Sequence, residues 1–502
     1  MASTGSSHVE QVVGDVERSG GSHMKMSKRV DDDDGRPQRT GTVWTASAHI
    51  ITAVIGSGVL SLAWGIAQLG WVAGPGVMML FGAVIYYTSA LLAECYRSGD
   101  PVSGPRNRTY MDAVRAILGG SMVKLCGVLQ LANLFGICVG ITIGSSISML
   151  AIKRAGCFHE RGREQREACG GSSRPYMLIY GALQIVFSQI PDMDKIGWLS
   201  IVASVMSFSY SAIGISLGVA QVISNRGVKG NITGILVGAG GGVTLMQKVW
   251  RSLQALGNIA FAYGFSVVLL EIQASHHSPG QPDTLKAVAP STEIKVMKKA
   301  MAVSVATTTV VYLLCGCIGY AAFGDESPDN LLTGFGFFEP FWLLDVANAA
   351  VVVHLVGTYQ VVAQPLFVFL ERHASAAAWP GSAPLGEKRV VFRVGRLSLA
   401  VSPLRLVWRT AFVCVTTATS SLLPFFGSVM GLIGAASFWP LTVYFPVEMY
   451  IAQRGVPRGS ARWLSLQALS VGCLAVSVAA SAGSIAGVVD AFKAHNPFCW
   501  TC

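Results

Sequence analysis

Long apolar stretches alternate with short polar connections along this chain from Val43 onward. A helix needs about 20 predominantly apolar residues to cross a bilayer. Charged residues make up 13% of the chain and the mean hydropathy is +0.51, whereas soluble globular domains carry about 25% charged residues. So few charges cannot cover several soluble cores, and the composition also excludes disordered, collagenous and disulfide-stapled secreted proteins. The sequence therefore predicts an all-α polytopic membrane protein.

The apolar stretches predict eleven transmembrane helices within a single transmembrane domain over residues 43–502. Residues 1–42 are polar and have no signal-peptide h-region, so we expect a disordered cytoplasmic tail there. The expected spans are 43–69, 74–94, 124–151, 175–190, 197–223, 251–273, 299–322, 341–370, 407–424, 427–451 and 463–491.

The positions of Lys and Arg indicate the orientation of these spans, because cytoplasmic loops carry an excess of both. With a cytoplasmic N-terminus, the basic connection that follows the second span lies inside, and the connection 323–340, which has no Lys or Arg, lies outside. Two connections that would be external, 152–174 and 224–250, nevertheless contain basic residues. We expect the N-terminus to be cytoplasmic and the C-terminus extracellular.

Two modification signals fall in the connections expected outside. Cys157 and Cys169 share one connection, and two cysteines in an external loop indicate a disulfide in an oxidising space. The glycosylation sequon at Asn231 is also expected outside, whereas the sequon at Asn107 is expected inside. The orientation therefore predicts a glycan on Asn231 only.

The sequence lacks the common motifs of nucleic-acid binding, nucleotide binding, metal binding and hydrolase catalysis. The net charge of +10 comes from basic residues in connections between spans, without the interleaved aromatics that track nucleic acid, so no nucleic-acid partner is expected. There is no Walker loop, no His-x-x-x-His metal pair and no nucleophile elbow. The chain is therefore predicted not to be an enzyme and to need no cofactor or metal.

Glycines interrupt the first and sixth spans near their middles, at Gly56 and Gly58 and at Gly264. Each interrupted span opens a group of five, residues 43–223 and 251–451, which leaves the helix 463–491 over. Secondary transporters often combine such inverted repeats with a midplane substrate site at two broken helices. Unwound backbone would offer N–H and C=O groups to an amine and a carboxylate. The competing interpretation is that these glycines only permit close helix packing.

Several segments carry a resemblance to a known family. They are Thr45–Trp71, Glu94–Asp100, Asn133–Gly136, Trp250–Tyr263, Leu344–Gln364 and Phe438–Tyr450. In these segments the chain resembles plant amino acid permeases of the amino acid/auxin permease family, within the amino acid–polyamine–organocation superfamily. The resemblance implies a proton-coupled amino acid symporter with eleven spans and a five-plus-five inverted repeat. It also implies residence in a plant membrane, with the plasma membrane as our expectation.

The chain departs from the family pattern at three places. Position 258 is Asn where the family often has Asp, and Ile141 stands where an aromatic residue is common. The extra segment 274–282 lies at the expected cytoplasmic end of the sixth span. These departures keep two alternatives open: a transporter of another family substrate, such as auxin or 4-aminobutyrate, and a non-transporting amino acid sensor.

Residues around the two interruptions are the candidate substrate site, and ionisable residues within spans are candidates for proton coupling because charge is costly in lipid. The substrate-binding candidates are Ile55, Gly56, Ser57, Gly58, Asn133, Phe261, Ala262, Tyr263 and Gly264. The coupling candidates are His49, His354 and Asp345. The competing roles are a neutral buried histidine for His49, ordinary solvation for Asp345, helix association for Asn133, and core packing for the aromatics. The expected partners are amino acids, protons and the lipid bilayer.

Overall fold

Long helices make up most of the computed structural model. It describes residues 42–100, 104–161, 169–189, 197–238, 243–274, 290–335, 341–378, 390–394, 397–401 and 403–494, all within one compact unit, Arg39–Cys502. The helices are α1 (Val43–Val54), α2 (Leu62–Glu94), α3 (Tyr110–Ile117), α4 (Gly120–Arg161), α5 (Arg174–Ser188), α6 (Gly197–Ser224), α7 (Leu245–Ala262), α8 (Ser266–Ala274), α9 (Pro290–Phe323), α10 (Leu331–Gly334), α11 (Phe341–Ala378), α12 (Pro403–Leu422), α13 (Phe426–Ser437), α14 (Phe445–Arg454) and α15 (Ala461–Ala494).

Each expected span overlaps a helix, and eight helices of the described chain are long and apolar enough to cross a membrane. The differences have local causes. The first expected span is divided between α1 and a 3-10 turn that continues into α2. The helix α5 has only 15 residues, and α12 carries Arg405 and Arg409 near its start. A mostly helical membrane-protein fold is confirmed, while the count of eleven stays a prediction.

The boundary between the first and second expected spans lies inside α2, at Gly70. This residue has a φ of +85°, which only glycine adopts without strain. A Cβ atom at this position would come within 2.3 Å of the Ile232 carbonyl oxygen and of the Gly234 nitrogen. Glycine is therefore required here, because α2 kinks at this residue against the backbone of the segment 232–234.

Two short strands join the long helices α11 and α12. β1 (Val390–Val394) pairs antiparallel with β2 (Leu397–Val401), and Val390 lies opposite Val401. The sequence did not predict this hairpin, which lies in the connection between two helices and leaves the fold mostly helical. A half-buried strand is expected to alternate apolar and polar residues, but most residues of both strands are apolar. The sequence therefore predicted only a connection between two spans here.

Ion pairs, some of them buried, join helices at the end of the bundle where α1 begins. The Glu293 carboxylate, in the first turn of α9, accepts from Arg97 at 3.3 Å and from Arg106 at 3.2 Å, and all three side chains are less than a tenth exposed. Nearby, Glu94 at the end of α2 accepts from Lys298 at 2.5 Å and from Arg454 at 2.6 Å. These contacts join α2, α9 and α14 at one end.

Replacing Glu293 with Gln is expected to destabilise the protein by about 3 kcal/mol, because losing one member of a buried pair leaves the other charge uncompensated. The measurement is the temperature at which the purified protein loses its monodisperse gel-filtration peak in detergent. The matched control is Glu326→Gln, which changes the same group at an exposed position. Equal melting temperatures for the two variants would contradict the role of Glu293.

Between α13 and α14, residues Phe438–Tyr444 form a π-helix that contains Pro440. We call these residues the π segment. The Phe445 N–H donates to the Pro440 carbonyl, five residues back, which is the π-helical register. Single π turns inside α-helices mark places where a helix bends and are frequent at functional sites.

Tyr110 of α3 holds the π segment from the side. Pro446 has no N–H, so the Leu441 carbonyl five residues before it lacks a backbone donor in this register. The Tyr110 hydroxyl donates to that carbonyl at 2.7 Å. Burial raises the pKa of Tyr110 well above its ordinary value, which keeps the hydroxyl protonated and able to donate.

Candidate functional site

Two helices end abruptly at the glycines that the sequence singles out. The helix α1 stops at Val54, Gly56 is extended (φ −122°, ψ −154°), and a 3-10 turn begins at Ser57. The helix α7 stops at Ala262 and α8 begins at Ser266, after a gap of three residues. Backbone groups at both interruptions lack the helical partners that they would have in continuous helices.

The two interruptions lie against each other. A Cβ atom on Gly58 would come within 2.9 Å of the Ala262 Cα, so no other residue fits there without a shift. Tyr312 of α9 lies between them: its hydroxyl is 2.7 Å from the Val54 carbonyl oxygen and 2.8 Å from the Ala262 carbonyl oxygen. One side chain therefore contacts the last carbonyl before each interruption.

A cavity of about 440 Å³ lies beside the interruptions. Most of the candidate residues line it, from four different helices: His49, Gly56, Ser57, Gly58, Asn133, Phe261, Ala262, Gly264 and His354. From the interruptions the lining continues toward the end of the bundle where α1 begins, along Thr52, Ile272 and Val362. Ile141, one of the departures from the family pattern, also lines the cavity.

Three candidates lie outside this lining. Ile55 is fully buried, so its side chain packs in the core. The Tyr263 hydroxyl bonds to Thr309 at 3.0 Å, and its ring stands edge-on to the Tyr312 ring at 5.1 Å. Asp345 lies in the first turns of α11, well before His354 on the same helix. Packing accounts for the side chains of Ile55 and Tyr263.

His354 is held by hydrogen bonds on both ring nitrogens. Its Nδ1 lies 2.9 Å from the Ala203 carbonyl oxygen and 2.9 Å from the Ser207 hydroxyl. A carbonyl oxygen can only accept, so Nδ1 carries the proton in the neutral ring and Nε2 has the lone pair. Nε2 lies 3.2 Å from the Thr358 hydroxyl and faces Gly56, where a Cβ atom would be 3.7 Å away. The basic nitrogen of His354 therefore points at the first interruption.

Sequence reasoning missed several residues of this site. Thr358 is one helical turn from His354, so the four-residue spacing was a usable signal. Ser207 and Tyr312 belong to other helices, and no local pattern marks them. The cavity-lining members of the π segment are Phe438, Leu441 and Thr442. They lie in a segment that carries the family resemblance, but no local pattern placed them at the site.

The modification candidates have defined surroundings. A disulfide joins Cys157 and Cys169, with 5.8 Å between their Cα atoms. Asn107 is buried, and its amide nitrogen donates to the Cys95 carbonyl at 2.8 Å. The Asn231 side chain is half-buried, and its amide nitrogen donates to Asp325 at 2.9 Å.

Comparisons with known proteins agree on one family. The family model described as "Transmembrane amino acid transporter protein" matches residues 39–490. Amino acid permease 3 of Arabidopsis thaliana is 60% identical over 93% of this chain and 94% of its own length. Amino acid permease 4 of the same plant is also 60% identical, over 93% of this chain and 97% of its own length.

A solved structure shows a shared fold. The crystal structure of MhsT in complex with L-phenylalanine covers 90% of this chain and 100% of that chain, at 11% identity and a TM-score of 0.50. The family model and the permease relatives confirm the resemblance to plant amino acid permeases and the expectation that the chain is not an enzyme. The chain is therefore an integral membrane protein that belongs to the transmembrane amino acid transporter family, alongside the plant amino acid permeases.

Proposed function

We propose that this protein is a proton-coupled symporter that imports amino acids across the plasma membrane by alternating access. The observation that carries the proposal is that two interrupted helices and the basic nitrogen of His354 meet in one cavity. Substrate and proton would therefore bind close enough for each to affect the other.

The helix ends supply what a zwitterion needs. The C-terminal ends of α1 and α7, at Val54 and Ala262, carry partial negative charge that suits an ammonium group. The N-terminal end of α8, at Ser266, carries partial positive charge that suits a carboxylate. A volume of about 440 Å³ lies within the range of about 300–1,000 Å³ usual for small-molecule sites. Ile141 and Phe261 offer apolar surface for the substrate side chain.

Proton coupling rests on the two histidines of the cavity, His49 on α1 and His354 on α11. Histidine changes charge near neutral pH, which suits a group that takes up and releases a proton in each cycle. His354 has an oriented ring, while His49 lines the part of the cavity nearer the end where α1 begins. Asp345 is the weaker candidate, because it lies outside the cavity lining.

We predict that His49→Gln shifts the pH dependence of transport more than it lowers maximal transport. Gln keeps the polarity and approximate size of the side chain but cannot titrate. The measurement is uptake at saturating amino acid across a series of external pH values. A pH profile identical to that of the unsubstituted protein would return His49 to a packing role.

The orientation follows the charge distribution, with a cytoplasmic N-terminus and an extracellular C-terminus. We predict that Asn231→Gln removes an endoglycosidase-sensitive mobility shift and that Asn107→Gln leaves it unchanged. A glycosylated amide keeps one N–H, so the hydrogen bond from Asn231 to Asp325 is compatible with a glycan. Loss of the shift with Asn107→Gln instead would reverse the proposed orientation.

The function is tested by currents in voltage-clamped cells that express the chain. Neutral, acidic and basic amino acids are applied at acidic and near-neutral external pH, with and without sodium. We expect inward currents that grow at low pH and do not depend on sodium. Currents that require sodium, or uptake without current, would refute proton symport.

Two alternative functions predict different results in this voltage-clamp experiment. Currents evoked by auxin or 4-aminobutyrate but not by other amino acids would indicate another substrate of the same family. No current from protein at the cell surface would favour a non-transporting sensor. The extra segment 274–282, of which only Ala274 lies among the described residues, is the reason to keep this alternative. Its deletion restores currents if the segment only blocks the transport cycle.

A further inference from the structure

A second cavity, of about 660 Å³, lies between α4, the π segment and α15. We call it the lateral groove. Its rim consists of Leu125, Val478 and Ile485, which are exposed on the outside of the bundle. Ala435, Ser481 and Ala482 are small residues of its lining, which leave the space between the helices unfilled.

Both N–H groups of Trp439, in the wall of the lateral groove, are already paired. The Trp439 backbone N–H donates to the Ser477 hydroxyl at 3.0 Å, and its indole N–H donates to Ser470 at 3.1 Å. Water needs two to four polar partners to occupy a cavity, and the lining of the lateral groove is mostly apolar, so the groove does not hold water well. Apolar space left empty in a protein is destabilising in proportion to its volume. An apolar occupant is therefore favoured over water or a void.

The rim identifies the source of that occupant. Leu125, Val478 and Ile485 continue the apolar outer surface of α4 and α15, which in a membrane protein faces hydrocarbon. The lateral groove opens through this surface, so a lipid chain reaches it without crossing a polar layer. Its lining runs along α15 from Leu474 to Ile485, about 16 Å at a rise of 1.5 Å per residue, and this elongated shape suits a flexible chain. The small lining residues permit close approach.

The π segment is a wall shared by the two cavities. Phe438, Leu441 and Thr442 line the cavity at the interrupted helices, while Trp439, Pro440 and Tyr444 line the lateral groove. Packed interiors transmit displacements because they contain little free space. A π-helix is also a place where a helix changes its bend. A change in what occupies one cavity is therefore expected to displace the π segment and so change the shape of the other cavity.

From this arrangement we infer that the lateral groove binds an acyl chain of a bilayer lipid, and that the bound chain regulates transport through the π segment. The inference does not depend on proton coupling. It requires only that the protein transports amino acids from within a bilayer.

Occupancy is tested with the full-length protein in vesicles that contain a phospholipid with a photoreactive group on its acyl chain. We expect crosslinks concentrated at residues of the lateral groove on α15 and the π segment. Ala482→Trp fills the groove and should abolish them. Val471→Trp adds the same ring to an exposed position of α15 outside the groove and should leave them intact. Crosslinks spread evenly along the exposed face of α15 would overturn the inference.

Regulation is tested by amino acid uptake into vesicles of saturated or mono-unsaturated lipids of the same headgroup. Uptake by the unsubstituted protein and by Val471→Trp should change with the acyl chain, and uptake by Ala482→Trp should not. A response shared equally by all three proteins would refute regulation through the lateral groove. If Ala482→Trp fails to fold, Ala482→Leu fills less of the same space, and a partial loss of the acyl-chain response is expected. Crosslinking does not require transport. If the protein is crosslinked to lipid in the groove but gives no pH-dependent current, lipid binding is supported while proton symport is refuted.

Discussion

Replacing Ser57 with Leu is expected to abolish amino acid uptake while the protein still reaches the cell surface. Ser57 begins the 3-10 turn after the first interruption, and it is both buried and part of the cavity lining. The neighbouring Gly58 is already packed against Ala262, so the backbone has little room to move away. The leucine side chain must therefore occupy the cavity, in the space beside the first interruption that is proposed for the substrate.

The size of the effect follows from packing. Inserting extra methylene groups into a filled site costs about 1–3 kcal/mol, and a bound substrate would compete for the same space. A cost at the upper end corresponds to a loss of affinity of about 100-fold. Uptake of radiolabelled amino acid and surface biotinylation are measured on the same cells.

The matched control for this substitution is Ser57→Ala, which removes the hydroxyl without adding volume. Near-normal uptake by Ser57→Ala, together with the loss in Ser57→Leu, assigns the effect to volume. Loss in both variants would instead assign a role to the hydroxyl. Normal uptake by Ser57→Leu would remove the first interruption from the substrate site.

Replacing His354 with Gln is expected to remove the inward current while leaving amino acid exchange across the membrane. Net symport requires a group that accepts a proton on one side of the membrane and releases it on the other. Exchange needs no net proton release, because the protein returns across the membrane with an amino acid bound. Gln keeps hydrogen-bonding capacity toward Ala203 and Ser207 but has no titratable nitrogen to face Gly56. We expect the current to fall by at least about tenfold, a change of 1.4 kcal/mol.

The measurements are voltage-clamp current and counterflow of labelled amino acid into preloaded vesicles. His159→Gln makes the same chemical change at an exposed position outside the cavity and should leave both unchanged. Loss of current and counterflow together in His354→Gln would indicate that His354 positions the substrate. An intact, pH-dependent current would leave His49 as the coupling candidate.

The spans could be predicted from the sequence because the bilayer imposes a local requirement that any stretch of about 20 residues either meets or fails. The interruptions were predictable for a related reason, since Gly56, Gly58 and Gly264 stand out inside apolar helices. The count of spans was harder to verify. Where a helix is broken, as between α1 and α2, length and hydropathy no longer identify one span with one helix.

Contacts between distant helices were not predictable. Ser207 reaches His354 across 147 positions of sequence, and Tyr312 reaches Val54 across 258. Serine and tyrosine are ordinary residues within spans, so the roles of Ser207 and Tyr312 become apparent only from their hydrogen-bond partners in the structure. Tyr263 shows the converse: its position beside the interruption predicted a substrate contact, yet its hydroxyl pairs with Thr309 outside the cavity.

The Tyr312 hydroxyl serves two carbonyl oxygens, those of Val54 and Ala262, with a single proton. If α1 and α7 separate during the transport cycle, that proton remains with one carbonyl while the other meets water in the opening cavity. A dedicated donor for each carbonyl would have to be broken on every turn, at about 0.5–1.5 kcal/mol per bond. Sharing leaves the sum of hydrogen bonds nearly constant, so the contact between Tyr312 and the two interruptions would oppose their separation only weakly.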